Sequence, residues 1–177
     1  MKTKLYWFDN LNIDAKLGIS SRPRGNDWLE DEIKHFKNSG VNILVSALTS
    51  SEIYELELDN EKEYCEKYGI RYLSYPIRDR DVPDSQKLFY EFTQQLSLEL
   101  LQSKNIIIHC RQGIGRSSLL AAGVYRHIKE QNASDIFKEI TLYRTSQVPD
   151  TKEQISWLDK WMELYFNKKS IVDLFSE

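Results

Sequence analysis

The stretch Asn105-Ile106-Ile107-Ile108-His109-Cys110-Arg111-Gln112-Gly113-Ile114-Gly115-Arg116-Ser117-Ser118-Leu119-Leu120-Ala121-Ala122-Gly123-Val124 decides the reading of this chain. Its three isoleucines are the kind of continuous apolar run that a buried parallel strand carries. A glycine-bearing turn follows, and then small and apolar residues suited to a helix buried near its start. A cysteine stands at the strand end and an arginine at the helix start. A free thiol has a pKa of about 8.5 and is a poor nucleophile at neutral pH, and a helix N-terminus or a nearby cation lowers that value. Gly113 and Gly115 allow the loop to curl with successive N–H groups pointing inward, a nest that binds an anion. Arg111, Gln112, Gly113, Ile114, Gly115 and Arg116 are therefore the candidate phosphate-binding residues. The fork of Arg116 holds two phosphate oxygens at once. Ser117 is placed to donate its hydroxyl to the Cys110 sulfur, and His109 to orient the loop from behind.

The pattern His109-Cys110-x5-Arg116-Ser117, with glycines at 113 and 115, resembles the signature loop of the cysteine-dependent protein tyrosine phosphatases, in particular the small dual-specificity-like members. The resemblance covers most of the chain from about residue 20 to residue 160. It implies a cysteinyl-phosphate intermediate and a general acid on a loop that follows a strand upstream of the cysteine. The family's local context Pro-x-x-Asp is met by Pro76-Ile77-Arg78-Asp79, 31 residues before the cysteine (110 − 79). Asp79 is the expected acid, which would act as base in the second step. Asp81 is the reserve, and Asp84 reads as a helix cap. The resemblance also implies a glutamine near the front of the last helix that helps place the hydrolytic water. Gln154 matches, with Gln147 as the alternative.

The 177 residues suffice for one domain with a real core, expected to span 1–177. Hydrophobic residues make up 41% and charged ones 29%, a globular balance. A net charge of −3 leaves no basic excess for a nucleic-acid partner. Met1 to Trp7 holds no long apolar run and no stretch approaches a membrane span, so no membrane partner is expected. Two cysteines make no disulfide framework and suit the reducing cytoplasm. No ligand spacing for a metal is found, and the chemistry calls for no cofactor.

Strands are expected at Leu5–Phe8, Leu17–Ser20, Val41–Ser46, Ile70–Ile77 and before Cys110. Helices are expected from Asn26, as N-cap, to Ser39, from Thr49, over 60–68, 85–101, from Arg116 to about 130, over 133–143, and from Asp150 or Thr151 onward. Trp28 and Leu88 fall on the apolar stripes of their helices. Arg22 and Arg24 share a loop that either faces a substrate or is solvated. The alternation predicts an α/β fold, a mostly parallel sheet of about four or five strands with helices on both faces. The active loop then leaves a strand's carboxyl end, where such sheets bind ligands.

The expected reaction is hydrolysis of phosphotyrosine, with phosphoserine and phosphothreonine as further esters, in proteins or small phosphomonoesters. A phosphoinositide phosphatase is a weaker reading, because Arg111 is the one additional cation in the loop. An RNA 5′-phosphatase is weaker again on charge. A phosphate-binding module without catalysis is disfavoured because cysteine, arginine and acid are all present. A sulfur-transferring or arsenate-reducing enzyme is opposed by Asp79 and by the lack of a paired cysteine beside Cys110.

Overall fold

The strand that carries the cysteine becomes the centre of the sheet. A computed structural model describes residues 1–166. Its strands are β1 (Leu5–Phe8), β2 (Leu17–Ser21), β3 (Ile43–Ser46), β4 (Arg71–Ser74) and β5 (Ile106–Cys110), in the order β1-β2-β5-β3-β4. Only β1 runs antiparallel, at one edge. Strand β5 lies between parallel neighbours, with Cys110 opposite Ser21 of β2 and His109 opposite Ser46 of β3. Every residue of β5 is buried, as a two-sided apolar strand requires. The carboxyl ends of β2, β3, β4 and β5 thus open on one edge of the sheet.

The helices are α1 (Leu29–Asn38), α2 (Ser50–Glu55), α3 (Glu61–Lys67), α4 (Gln86–Leu101), α5 (Arg116–Ile128), α6 (Ala133–Arg144) and α7 (Lys152–Tyr165). They form two layers. Ile106, Ile108 and Cys110 face a core that includes residues of α4, α5, α6 and α7. Ile107, one residue out of phase, faces α1 and α3 through Leu29, Ile33, Phe36 and Cys65. The period-2 alternation of side chains therefore separates the two cysteines across the sheet. Burial, reinforced by Glu61 and Glu66, pushes the Cys65 thiol pKa far up, so this thiol stays protonated and inert.

Several boundaries differ from the sequence expectation. Asn26 is no N-cap. It has φ +51, tolerated by asparagine, and opens a single 3-10 turn (Asn26–Trp28) ahead of α1. Trp28 consequently lies exposed, with the Arg24 guanidinium 4.7 Å from its ring centre. Strand β4 is shorter than Ile70–Ile77, and the chain beyond it still tracks β3 through Tyr75 N to Ser46 O (2.9 Å) and Ile77 N to Ala47 O (3.0 Å). Ser85, not Asp84, caps α4, its Oγ accepting from Leu88 N. Thr151 caps α7.

Leu88 is exposed, and the buried stripe of α4 is Phe89, Thr93, Leu96, Ser97 and Leu100. Small residues suit this seam, because a Cβ at Gly123 of α5 would come within 2.6 Å of the Phe89 ring. That ring meets Trp157 and Trp161 edge-on, each at 4.9 Å and 87°. His127 packs beside Trp161, and its Nε2 lies 3.0 Å from Thr93 Oγ1. Burial, with the Arg126 charge, lowers the His127 pKa to about 4, so the ring is neutral at pH 7.

Phe89 therefore joins α4, α5 and α7. Truncating it to alanine should cost about 3–5 kcal/mol, whereas Leu88→Ala should stay within roughly 0.5 kcal/mol. Urea unfolding of both variants checks this, and equal losses would contradict the packing described.

Candidate active site

The turn after β5 is held from outside. Arg22 N donates to Arg111 O (3.3 Å). Arg144, at the end of α6, donates from Nε to Gly113 O (2.8 Å) and from Nη2 to Gln112 O (3.1 Å). Ser118 Oγ donates to Gly115 O (2.9 Å) and to Ile114 O. The carbonyl and the N–H of a trans peptide point in opposite directions. Outward carbonyls at 111 to 115 therefore turn the N–H groups of Gln112, Gly113, Ile114, Gly115 and Arg116 the other way, into the loop. The glycines are required here. Gly113 has φ +68, and a Cβ on it would stand 2.5 Å from Ser20 O.

These residues surround a cavity of 130 Å³. The turn supplies Cys110, Arg111, Gln112 and Arg116 to its lining; the β4–α4 connection supplies Asp79 and Arg80; the α6–α7 connection supplies Asp150. Cys110 is buried, and its Sγ is hydrogen-bonded to Ser117 Oγ at 3.3 Å. When the sulfur is a thiolate, only the hydroxyl has a proton to give, so Ser117 is the donor. A larger cleft of 850 Å³, lined by Glu30, Glu55, Glu57 and Asp59 among others, lies elsewhere. Its carboxylates repel an anion, and no cysteine, serine or threonine lines it.

Arg116 is almost wholly buried. Glu52, on α2, grips it through two bonds, Nη1 to Oε2 (2.7 Å) and Nη2 to Oε1 (2.9 Å). Nη1 also donates to Ile77 O (2.9 Å), and Nη2 to Asp79 Oδ1 (3.0 Å). The two carboxylates are unequal. The Glu52 side chain is 10% exposed and that of Asp79 58%. Removing one partner from a buried pair costs about 3–5 kcal/mol, and an exposed pair is worth about 0–1 kcal/mol. Asp79 is therefore the partner of Arg116 that costs less to displace, and Glu52 the one that costs more. Burial works to raise the Glu52 pKa, but the hydrogen bonds from Arg116 and Thr49 and the charge of Arg116 prevail and lower it to about 2.

The other expected residues fall as follows. Asp81 does not line the cavity: it accepts from Val82 N (2.8 Å) and pairs with Arg78 (3.1 Å). His109 is buried on the opposite face of the sheet, its Nε2 2.9 Å from Glu61 Oε1. Gln154 is fully buried at the start of α7. Its Oε1 accepts from Asp150 N (3.1 Å) and Thr151 N (3.2 Å), and its Nε2 donates to Asp81 O (3.1 Å). Gln147 is exposed and donates to Val148 O. Arg24 is spent on Glu32 (2.6 Å), and Arg22 contributes its backbone to the loop. Glu52, Arg144 and Asp150 are additions of the structure. Thr49 to Glu52 read only as the entry to a helix, and the structure closes it as a capping box. Asp150 was marked only as a candidate cap of the last helix, and nothing local marked Arg144.

A family model described as "Polymorphic toxin system, DSP-PTPase phosphatase" matches residues 18–129. The chain belongs to this DSP-PTPase family. Among curated relatives, cyclin-dependent kinase inhibitor 3 of Rattus norvegicus is 25% identical over 139 residues, 76% of this chain and 64% of that protein. Putative tyrosine phosphatase 197R of Invertebrate iridescent virus 6 is 33% identical over 110 residues, 59% of this chain and 40% of that protein. The chain thus spans less than two thirds of these relatives' length. The crystal structure of kinase associated phosphatase superposes with a TM-score of 0.84 at 20% identity, covering 93% of this chain and 96% of that one. The active form of Tk-PTP gives 0.70 at 22%, covering 83% and 91%. At these identities the two structures attest the DSP-PTPase fold. Among the described residues no helix is long and apolar enough to cross a membrane.

The Glu52 pKa lies below the roughly 4.3 of an unfolded glutamate. Its contribution is full above that pH and is lost as pH falls toward 2. Glu52→Gln should cost about 3 kcal/mol at pH 7 and flatten the acid limb of stability. Urea midpoints from pH 7 to pH 3 for both proteins measure this. Parallel acid limbs would assign the loss to other carboxylates.

Proposed function

We propose that this protein is a cysteine-dependent phosphatase that hydrolyses phosphotyrosine in proteins, with phosphoserine, phosphothreonine and small phosphomonoesters as further substrates. One observation carries the reading. The cavity-lining thiol of Cys110 sits among the inward N–H groups and the Arg116 fork, and Asp79 lines the same cavity. The family and the tyrosine phosphatases among its relatives support the same chemistry. A reducing, cytoplasmic compartment suits a working thiolate.

In the first step the Cys110 thiolate attacks phosphorus in line with the ester oxygen. The N–H groups and Arg116 hold the equatorial oxygens as charge develops. Phosphate binding releases Asp79 from Arg116; the freed carboxylate takes up a proton from solvent beside the bound dianion and delivers it to the leaving oxygen. Ser117 donates to the sulfur whenever the thiolate is present. Glu52 and Ile77 O set the plane of the guanidinium. In the second step water breaks the P–S bond and restores the thiolate.

The decisive substrate is a phosphotyrosine peptide assayed in EDTA, because its poor leaving group makes the acid necessary. Cys110→Ser should abolish turnover. Asp79→Asn should lower kcat by about 10²–10³-fold, and Asp81→Asn should leave it within a few-fold. A larger loss in the Asp81 variant would move the acid. Failure of the wild type to turn over aryl phosphates or phosphopeptides, with retained phosphate binding, would replace catalysis by binding.

A further inference from the structure

The cavity holds a second carboxylate, and its position differs in kind from that of Asp79. Asp150 lies on the α6–α7 connection, between buried Pro149 and Thr151, the N-cap of α7. Its N–H is held by Gln154 Oε1 at 3.1 Å. Its carboxylate reaches the loop: a Cβ built on Gly115 would lie 2.3 Å from Asp150 Oδ2. The bare Cα of Gly115 therefore admits this oxygen to the wall of the same 130 Å³ cavity that Cys110 lines. Gln154, the residue expected to place water, has both polar atoms committed to the backbone of Asp150, Thr151 and Asp81. The amide fixes the carboxylate's backbone and leaves the carboxylate to meet the solvent.

We propose that Asp150 is the general base of the second step, a reading that rests on the cysteinyl-phosphate chemistry above. Water attacks phosphorus from the side opposite sulfur, where the departing alcohol had been. Its oxygen forms the new P–O bond, and one water proton passes to the Asp150 carboxylate. The P–S bond breaks, and its electron pair returns to Cys110 as thiolate. The products are hydrogen phosphate dianion and protonated Asp150, which then loses its proton to solvent. Asp79, having given up its proton in the first step, re-forms its ion pair with Arg116 once phosphate has left. The two carboxylates thereby divide the proton transfers between them.

The placement has a second effect. A carboxylate in an anion pocket repels the phosphate dianion, so removing its charge tightens ground-state binding while slowing turnover. A purely structural role would not produce that pairing.

The test is rapid-mixing kinetics with p-nitrophenyl phosphate, whose good leaving group minimises dependence on the first-step acid. Asp150→Asn should release the first equivalent of phenolate within about 2-fold of the wild-type rate. Its steady state should then be about 10²-fold slower, with phosphoenzyme accumulating on Cys110, trapped by rapid denaturation without acid, and vanadate bound more tightly. Asp150→Glu should recover part of the steady state. An unchanged steady state in Asp150→Asn, or equal loss in burst and steady state without phosphoenzyme, would overturn the assignment and return the base role to Asp79. Wild type that turns over while Asp150 variants show no trapped intermediate defeats this inference alone. Wild type that never labels Cys110 defeats the phosphatase mechanism, and this inference with it.

Discussion

A guanidinium taken out of water must be matched by charge and by hydrogen bonds, and Arg116 depends on that constraint being met. Glu52 meets it with two parallel bonds, and Ile77 O adds a third contact. The three groups come from different parts of the chain: the turn after β5, the helix after β3 and the segment after β4. The pair therefore clamps three carboxyl ends of the sheet at one point. Its energetic value as a pair is modest, because desolvating both ions offsets much of their attraction. Its geometric value is larger. It leaves one edge of the guanidinium to a weak, half-exposed partner, Asp79, which a phosphate can replace.

The parallel sheet explains why so few residues suffice. Strand β5 is flanked on both sides by parallel strands, so every connection at its carboxyl end arrives from a neighbour. Arg22 fixes one side of the loop, Glu52 the other, and Arg144 closes it from the end of α6. The loop's outward carbonyls are satisfied by these and by Ser118. The inward N–H groups are thus positioned before any anion arrives, and no reorganisation is needed during the reaction.

The sequence displayed the parts whose signals are local. The strand–turn–helix around Cys110 was legible from apolar runs and two glycines; Asp79 was singled out only through the family resemblance, and it lines the cavity. The helix ends at Ser39 and Gly40 followed from glycine chemistry. What escaped was tertiary. Glu52 reads locally as part of a helix entry, and only the fold turns its other role toward Arg116. Asp150 reads as a helix cap and becomes a cavity wall because Gly115 has no side chain. Leu88 satisfied the helical period yet lies in the first turn of α4, where the capped end faces solvent. Trp28 failed similarly, since Asn26 adopts a left-handed backbone that rotates the start of the helix.

The separation of the two thiols has a consequence for redox life. A thiolate nucleophile exposed to peroxide passes to sulfenic acid, and rescue commonly proceeds through a disulfide with a nearby thiol. Here the chain's other cysteine, Cys65, lies in the opposite apolar layer, with the sheet between it and Cys110. The Cα separation that a disulfide demands, about 4.4–6.8 Å, cannot be met across a packed sheet without unfolding it. An oxidised Cys110 would therefore find no disulfide partner in Cys65, and its recovery would call on a thiol from another molecule.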